Sequence, residues 1–202
     1  MLNLRKIAVT GGLSSGKTTV CRMFQQLGAY IVNADQITHQ LLSSDTSLRQ
    51  QLITFLGDAI LTDGLIDRSK MAKVVFESPA LLRKAEELIH PRVSERIEQE
   101  WQKAVSEQKY PLFIVEIPLL FEASMQHGYD ASIAVVSEEA ACIKRFCMSG
   151  EHGKAEYFSR ASRQLPQSEK AKKAVYIINN DGTLPELKEK VASLYHVIGV
   201  TL

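Results

Sequence analysis

The chain has 202 residues, of which 45% are hydrophobic, and its formal net charge at pH 7 is +1. This length and composition are typical of a globular protein with one well-buried core and short insertions. Because 24 basic and 23 acidic residues nearly balance, and Lys and Arg form no long run, the sequence gives no reason to expect a nucleic acid or a membrane surface as the main partner.

The first residues and the cysteines bear on the cellular compartment. Residues 1–6 lead directly into a short apolar run and not into a secretory signal, and no apolar stretch is long enough to span a membrane. The three cysteines, Cys21, Cys142 and Cys147, are odd in number and lie in segments with helical patterns, which favours reduced thiols. Cys142, Cys147 and His152 also lack the spacing of a zinc site. We therefore expect a cytoplasmic protein without zinc.

Short apolar runs alternate with helical patterns along the chain. Residues 6–10 are an apolar run that ends at Gly11-Gly12, which predicts a buried strand entering a turn. In residues 17–27 apolar side chains recur every three or four positions, and Gly28 follows where a helix commonly ends. Four more strands are predicted at residues 29–32, 112–117, 132–136 and 174–178. This alternation predicts an α/β doubly wound fold, with a parallel five-stranded sheet flanked by helices.

Two insertions interrupt the predicted core. The tract between the second and third strands is far longer than one crossover needs and its patterns are helical, so we predict a helical substrate domain at residues 39–107. Within it, Pro79 and Pro91 predict the starts of two helices. A polar tract rich in Arg and Lys predicts a helical lid at residues 145–173. The nucleotide-binding core then comprises residues 1–38, 108–144 and 174–202.

A glycine-rich loop lies between the first predicted strand and the first predicted helix. Its sequence, Gly11-Gly12-Leu13-Ser14-Ser15-Gly16-Lys17-Thr18, matches the phosphate-binding pattern G-x-x-x-x-G-K-[ST] at every fixed position. Backbone N–H groups of such a loop and the following helix N-terminus attract phosphate. Lys17 is predicted to bridge the β- and γ-phosphates of ATP, and the Thr18 hydroxyl to bind Mg²⁺. The predicted ATP-binding residues of this loop are Gly12, Leu13, Ser14, Ser15, Gly16, Lys17, Thr18 and Thr19.

The loop alone does not identify the reaction. A regulatory GTPase is disfavoured because neither Asp-x-x-Gly nor Asn-Lys-x-Asp occurs in the chain. An ATPase motor is mildly disfavoured because the third strand offers only Glu116 as an acidic residue before Pro118. A small-molecule kinase remains, and it needs a positioned acceptor, a base near the acceptor hydroxyl and cations on the transferring phosphoryl.

Asp35 is the candidate base. It directly follows the second predicted strand, at the edge of the sheet where the phosphate loop is also expected. There it would accept the proton of the acceptor hydroxyl and help to order Mg²⁺. The alternative is that Asp35 caps a helix that runs from Gln36 onward.

Several cations of the predicted lid, and one histidine, are further candidates. Arg145, Arg160, Arg163 and Lys154 would bring positive charge to the transferring phosphoryl if the tract closes over ATP. For any one of them the alternative is a solvated surface position. His90 lies in the predicted substrate domain, and for it the alternative is a helix cap or a packed side chain.

Taken together, these motifs resemble the dephospho-CoA kinase family over nearly the whole chain. The segments that carry the resemblance are, in the family's order, residues 9–18, Asn33-Ala34-Asp35, Asp67-Arg68, Val75-Phe76, His90-Pro91, residues 117–122, residues 160–166 and residues 178–182. The resemblance implies ATP-dependent phosphorylation of the ribose 3′-hydroxyl of dephospho-CoA. The expected partners are ATP, with Mg²⁺, and dephospho-CoA, and the chain is expected to be a monomer or a small homo-oligomer. The alternatives are another P-loop nucleoside or metabolite kinase, and a nucleotide-binding regulator that lacks turnover.

The resemblance also implies roles for individual residues. Asp35 matches the general base, and Lys17, Arg145 and Arg160 match groups that act on the phosphates. Asn180 matches a position that borders the adenine. The positions that match the acceptor side, besides Asp35, are His90, Leu119, Phe121 and Glu122.

Three positions depart from the family's pattern. The family usually has a glycine where Ser14 stands, an aspartate where Asn33 stands and a lid arginine where Ser149 stands. Serine is expected to fit at position 14 if its φ is negative. Ser149 removes one expected phosphate contact, for which Lys154 or Arg163 would have to compensate.

Overall fold

The computed structural model of the chain describes residues 4–150 and 153–200. The strands are β1 (Arg5–Gly11), β2 (Tyr30–Asn33), β3 (Leu61–Thr62), β4 (Leu65–Ile66), β5 (Leu112–Glu116), β6 (Ala131–Val136) and β7 (Tyr176–Asn179). The helices are α1 (Lys17–Gln26), α2 (Ala34–Ser44), α3 (Thr46–Leu56), α4 (Arg68–Phe76), α5 (Pro79–Glu107), α6 (Glu139–Met148), α7 (Lys154–Ala161), α8 (Gln167–Lys173) and α9 (Leu184–Val200). Within the described residues, none of these helices is long and apolar enough to cross a lipid bilayer.

The central element is a parallel five-stranded sheet in the order β2-β5-β1-β6-β7. Its five strands are those predicted from the sequence, with ends that differ by at most two residues. Strand β1 lies between β5 and β6, so that Val9 is opposite Glu116 on one side and Ile133 on the other. This register brings the carboxyl end of β5 beside the start of the phosphate loop, where ligands of open α/β sheets bind.

The sheet is covered by helices that bury its apolar side chains. Val20 and Phe24 of α1 and Val191 of α9 are fully buried in one cluster with the strand residues Ile7 and Val9. Strands buried on both faces explain the continuous apolar runs of the sequence. Gly28, with φ at 100°, ends the first helix as predicted.

The chain divides into two compact units. One consists of Met1–Val32 with Lys103–Leu202 and contains the large sheet, and the other is Asn33–Gln102. The second unit has its own core, in which Leu48, Leu52 and Ile60 are fully buried. The functional division into nucleotide core, substrate domain and lid stays a prediction.

One long helix stands where the sequence predicts two. Helix α5 begins at Pro79 as predicted, but it continues through Pro91, so the prediction of a second helix start there is wrong. An internal proline removes one backbone hydrogen bond and costs about 3 kcal/mol. The Arg92 guanidinium donates to the Leu88 carbonyl at 2.8 Å in the preceding turn, and Val93 is buried just beyond the proline. The hydrogen bond to Leu88 before Pro91 and the burial of Val93 after it thus outweigh the cost of an internal proline.

Candidate active site

The phosphate loop leaves β1 at Gly11 and enters α1 at Lys17. Gly11 and Gly16 have φ of 149° and 100°, which are values that favour glycine, and the Ser15 N–H donates to the Gly12 carbonyl at 3.3 Å. A Cβ at Gly16 would lie 2.2 Å from Nδ2 of Asn180, so space as well as backbone conformation requires glycine there. Both fixed glycines of the motif therefore have a physical reason.

The side chain of Lys17 is folded into this loop. Its Nζ donates to the carbonyls of Gly12 at 2.7 Å and Gly11 at 3.3 Å, and only 9% of the residue is exposed. The carbonyls of the loop thereby hold the Lys17 ammonium inside the loop.

Ser14 occupies the left-handed region of the backbone map. Its φ is 55°, so the condition under which serine was expected to fit here, a negative φ, is not met. A Cβ in this conformation crowds the following carbonyl, at a cost of about 1–2 kcal/mol. A glycine at this position would avoid that cost.

The hydroxyl of Thr18 donates to Oε1 of Glu116 at 2.9 Å. Glu116 ends β5 and is 5% exposed, so a nearly buried carboxylate faces the start of α1. From the sequence Glu116 served only to judge the class of ATPase, and its place in this site was missed. An acidic residue at the end of the strand that lies beside β1 was the signal that could have found it.

The turns that follow β6 and β7 are held together beside the phosphate loop. Arg145 donates to the Ser137 hydroxyl at 2.9 Å and to the Asn180 carbonyl at 2.8 Å. Oδ1 of Asp181 accepts the Glu138 N–H at 2.6 Å and the Ser137 hydroxyl at 2.8 Å. The Glu138 N–H, helped by the Ser137 hydroxyl, holds the pKa of the Asp181 carboxyl below its usual value. The guanidinium of Arg145 is thus held by hydrogen bonds to these two turns of the protein.

Asn180 connects the same turns to the loop. Its Nδ2 donates to the Ser15 carbonyl at 2.8 Å, and its own N–H donates to the Val136 carbonyl. The side chain is 8% exposed and supports the loop backbone. Its predicted place at the edge of the adenine stays a prediction.

Helix α7 and its neighbours occupy the predicted lid tract. Tyr157 is buried against Phe146 and Cys142, and Leu13 of the phosphate loop packs on the same cluster. Arg160 forms an ion pair with Glu156 at 2.5 Å. The guanidinium of Arg160 also lies over the Phe146 ring, 5.5 Å from its centroid.

The other polar residues considered in this tract are exposed or bond to the backbone of their own helix. Lys154 and Arg163 are exposed. The Ser149 hydroxyl donates to the Phe146 carbonyl at 2.8 Å at the end of α6. Ser149 therefore bonds to the backbone at the C-terminal end of α6. His152 lies outside the described residues.

Gln167, the first residue of α8, joins this tract to the phosphate loop. Its amide makes two hydrogen bonds to the backbone of Ser137, one from the Ser137 N–H at 3.0 Å and one to the Ser137 carbonyl at 3.1 Å. A Cβ at Gly12 would lie 2.5 Å from Cγ of Gln167, so the two residues pack in direct contact. No sequence pattern signals Gln167.

The segment after β5 carries three of the predicted acceptor residues. Leu119 is 40% exposed, whereas Phe121 is 9% exposed and belongs largely to the core. Glu122 accepts hydrogen bonds at Oε1 from the Leu165 N–H at 2.8 Å and from Lys170 at 2.9 Å, and its Oε2 is buried without a partner among the described residues.

Asp35 lies in the second unit, in the first turn of α2. The helix is capped by Asn33, whose Oδ1 accepts the Gln36 N–H at 3.0 Å, so the alternative that Asp35 is the cap is wrong. The Asp35 carboxylate is exposed and has no hydrogen bond or ion pair among the described residues. It lines a cleft with His39 and Arg68.

His90 is also in the second unit and lies inside α5, half-buried. Because the helix is continuous there, the alternative of a helix cap is wrong for His90. It is not among the residues that line the Asp35 cleft.

The chain is similar to dephospho-CoA kinases over nearly its whole length. A family model described as dephospho-CoA kinase matches residues 5–186. A dephospho-CoA kinase of Protochlamydia amoebophila is 42% identical over 201 residues, which cover 99% of each chain. One of Chlamydia felis is 36% identical over 198 residues, which cover 98% of each chain.

Solved structures agree with this comparison. The crystal structure of TT1252 from Thermus thermophilus is similar with a TM-score of 0.83 and 25% identity, over 98% of each chain. The fold is accordingly that of a P-loop kinase, as the sequence predicts.

Proposed function

The chain belongs to the dephospho-CoA kinase family, and we propose how its residues perform that family's reaction. The reaction is ATP-dependent phosphorylation of dephospho-CoA, the final step of coenzyme A biosynthesis. We assign the ribose 3′-hydroxyl as the acceptor. The observation that supports the catalytic assignment best is the 2.9 Å hydrogen bond between Thr18, in the phosphate loop, and the Glu116 carboxylate.

The nucleotide phosphates bind in the loop of residues 12–19. Loop N–H groups and the N-terminus of α1 supply a positive field there. The Lys17 ammonium, which the carbonyls of Gly11 and Gly12 hold inside the loop, exchanges these partners for the β- and γ-phosphates. The cation therefore already lies in the phosphate loop before the nucleotide binds.

The residues beside the loop fit Mg²⁺. This ion prefers oxygen ligands and is usually held by one or two protein groups together with substrate phosphates and water. The Thr18 hydroxyl and the Glu116 carboxylate supply two such oxygens 2.9 Å apart. Thr18 would bind the ion, and Glu116 would bind it or orient its water. When bound, Mg²⁺ neutralises charge on the transferring phosphoryl.

Asp35 acts as the general base on the acceptor hydroxyl. Its carboxylate is exposed and has no partner among the described residues, and Asn33 supplies the helix cap in its place. The neighbouring Arg68 in the cleft suits an anionic substrate such as dephospho-CoA, whose diphosphate carries negative charge. The base needs only to reach the proton that it abstracts.

The two arginines that the resemblance assigns to the phosphates have different starting positions. Arg160 would exchange its ion pair with Glu156 for phosphate oxygens. Arg145 is bonded to Ser137 and the Asn180 carbonyl, so its first effect is to shape the turn that borders the nucleotide.

The residues that the resemblance assigns to the acceptor, besides Asp35, are His90, Leu119, Phe121 and Glu122. Leu119, being 40% exposed, is available for contact with an apolar part of the acceptor. Phe121 is nearly buried and Glu122 bonds the Leu165 N–H, so these two residues are less accessible to the acceptor than Leu119 is.

The test is ADP release from Mg·ATP with and without dephospho-CoA, with mass spectrometry of the acceptor. We expect ADP release that depends on the acceptor, and a product heavier by one phosphoryl group. ADP release that responds only to another alcohol would favour a different metabolite kinase. Firm ATP binding without turnover on any acceptor would favour a nucleotide-binding regulator.

A further inference from the structure

Lys170 of α8 is a charged side chain without solvent exposure. Its side chain is 0% exposed, although lysine is almost never fully buried unless it is paired. Nζ donates to the Pro118 carbonyl at 2.5 Å and lies 2.9 Å from Oε1 of Glu122. Burial lowers the pKa of the ammonium, and Glu122 opposes that shift.

The two partners of Lys170 belong to the segment that follows β5. The Pro118 carbonyl also accepts the hydroxyl of Thr10, the residue before the first glycine of the phosphate loop, at 3.1 Å. The N–H of Ile117 donates to the Val9 carbonyl at 2.8 Å. One side of the lysine site is therefore fixed to the end of β1.

The other side of the site belongs to the predicted lid tract. Oε1 of Glu122 accepts the N–H of Leu165, which lies between α7 and α8, at 2.8 Å. Leu165 and its neighbour Gln164 line a cleft with Gly12 and Leu13 of the phosphate loop. Lys170 and Glu122 thus fix two backbone points, the Pro118 carbonyl after β5 and the Leu165 N–H at this cleft.

Stability alone does not account for a buried ion pair. Replacement of such a pair by apolar residues of similar volume is often neutral or stabilising, because both charges must be desolvated. An apolar pair, however, would not hold the Pro118 carbonyl or the Leu165 N–H in a fixed direction. The charged pair therefore fixes the positions and directions of these two backbone groups.

We propose that Lys170 and Glu122 are positioning residues that align the predicted lid tract and the acceptor-side segment with the phosphate loop. The inference rests on the proposed function, and it assigns neither residue to contact with the transferring phosphoryl. It explains why Glu122 matches an acceptor-side position while its oxygen bonds the backbone of Leu165.

Two double variants test this without leaving an unpaired buried charge. Lys170→Met with Glu122→Met removes both backbone attachments, and Lys170→Met with Glu122→Gln keeps an acceptor for the Leu165 N–H. The matched control is Lys172→Met with Glu169→Gln, which removes an exposed Lys–Glu pair from the same helix. Each is assayed for kcat, the KM for both substrates, the Kd for Mg·ATP and the thermal midpoint.

We expect the doubly apolar variant to fold and to bind Mg·ATP as the wild type does. Its kcat should fall by about 10- to 100-fold, since small misplacements of reacting groups cost that much, and its KM for dephospho-CoA should rise. The Met/Gln variant should show a smaller fall in kcat, and the surface control should keep the wild-type kcat and KM values. If the doubly apolar variant does not fold, the Met/Gln variant alone decides by the same criteria.

Two results would overturn the inference alone. In the first, a folded variant at Lys170 and Glu122 keeps the wild-type kcat and both KM values, which would mean that the pair is only structural. In the second, the loss is entirely in Mg·ATP binding. If the wild type and the surface control also lack acceptor-dependent turnover, the proposed function fails and the inference with it.

Discussion

The Thr18 hydroxyl and the Glu116 carboxylate are joined by a hydrogen bond of 2.9 Å. Thr18 belongs to the first turn of α1 and Glu116 ends β5, so the bond connects the helix after the phosphate loop to the strand that lies beside β1. The parallel register of β1 and β5, with Val9 opposite Glu116, makes this contact possible. A hydroxyl and a carboxylate in this position are suited to Mg²⁺.

Replacing Glu116 by Gln should weaken the response to Mg²⁺. Glutamine keeps an oxygen acceptor for the Thr18 hydroxyl but removes the charge that attracts the cation. Changes to groups that orient metal ligands commonly cost 10- to 100-fold in metal affinity, and we expect a rise of about that size in the Mg²⁺ concentration for half-maximal rate. Initial rates against free Mg²⁺ at saturating substrates measure it. Thr18→Ser, which retains the hydroxyl, is the control, and an unchanged Mg²⁺ dependence of Glu116→Gln would rule out the assignment.

Replacing Asp35 by Asn should abolish most of the turnover. The exchange keeps the size of the side chain and removes the proton acceptor, so kcat should fall by about 10²–10⁴-fold while Mg·ATP still binds. Steady-state kinetics and equilibrium binding of ATP separate the two effects. Asp63→Asn, an exposed position in the turn between β3 and β4, should leave both unchanged. A wild-type kcat for Asp35→Asn would remove Asp35 from the role of base.

Replacing Ser14 by Gly should stabilise the protein. Ser14 has a φ of 55°, so glycine relieves a strained conformation and the free energy of unfolding should rise by about 1 kcal/mol, less the entropy that glycine adds to the unfolded chain. Urea unfolding measures the change. Asp63, with φ at 51°, offers a matched Asp63→Gly variant away from the loop. Lower stability of Ser14→Gly than of the wild type would show that the serine side chain contributes more than its strain costs.

Much of this architecture could be predicted from the sequence because its signals are local. The phosphate loop depends on glycines at fixed spacing, and Gly11 and Gly16 do adopt positive φ. The five strands are short apolar runs, and burial on both faces of the sheet requires that pattern. Local patterns therefore located the nucleotide side of the site.

What the sequence did not predict depends on contacts between distant residues. Pro91 suggested a helix start because local propensity disfavours an internal proline, whereas packing of the surrounding helix decides its conformation. Glu116 and Lys170 gained their roles only when the fold placed them beside Thr18 and Pro118. The positive φ of Ser14 likewise has no signal in its residue type, because non-glycine residues rarely adopt it.

Replacing Gly12 by Ala should force Gln167 out of place. A Cβ there would lie 2.5 Å from Cγ of Gln167, whose amide is held by two hydrogen bonds to Ser137. We expect Gly12→Ala to lower the free energy of unfolding by about 1–3 kcal/mol. Gly128→Ala is the control, because a Cβ at Gly128 would meet no atom within 4 Å.

The partner variant Gln167→Ala completes a double-mutant cycle. Alone it should cost up to about 1.5 kcal/mol for each lost hydrogen bond. In combination with Gly12→Ala the clash disappears, so the double variant should be more stable than the sum of the two losses predicts. Strictly additive losses would mean that Gly12 and Gln167 do not oppose each other as the structure indicates.

Asp181 should make the turns beside the phosphate loop sensitive to acid. Hydrogen bonds from the Glu138 N–H and the Ser137 hydroxyl lower the pKa of its carboxyl in the folded chain. The folded protein then binds protons less readily than the unfolded chain, whose aspartate pKa is about 3.9. The stabilisation by Asp181 is therefore fully present above that value, and it is lost as the pH falls through the lower folded-state pKa.

Urea unfolding of the wild type and of Asp181→Asn between about pH 6 and pH 3 measures this contribution, because the range spans the unfolded pKa of aspartate. The wild type should be more stable than the variant at the upper end, and the difference should shrink as the carboxylate takes up its proton. Since Ser137 also accepts from Arg145, which bonds the Asn180 carbonyl, loss of the Asp181 carboxylate should loosen the turn that supports Ser15. A difference in stability that stays constant over the whole range would show that the Asp181 side chain acts through its shape and not through its charge.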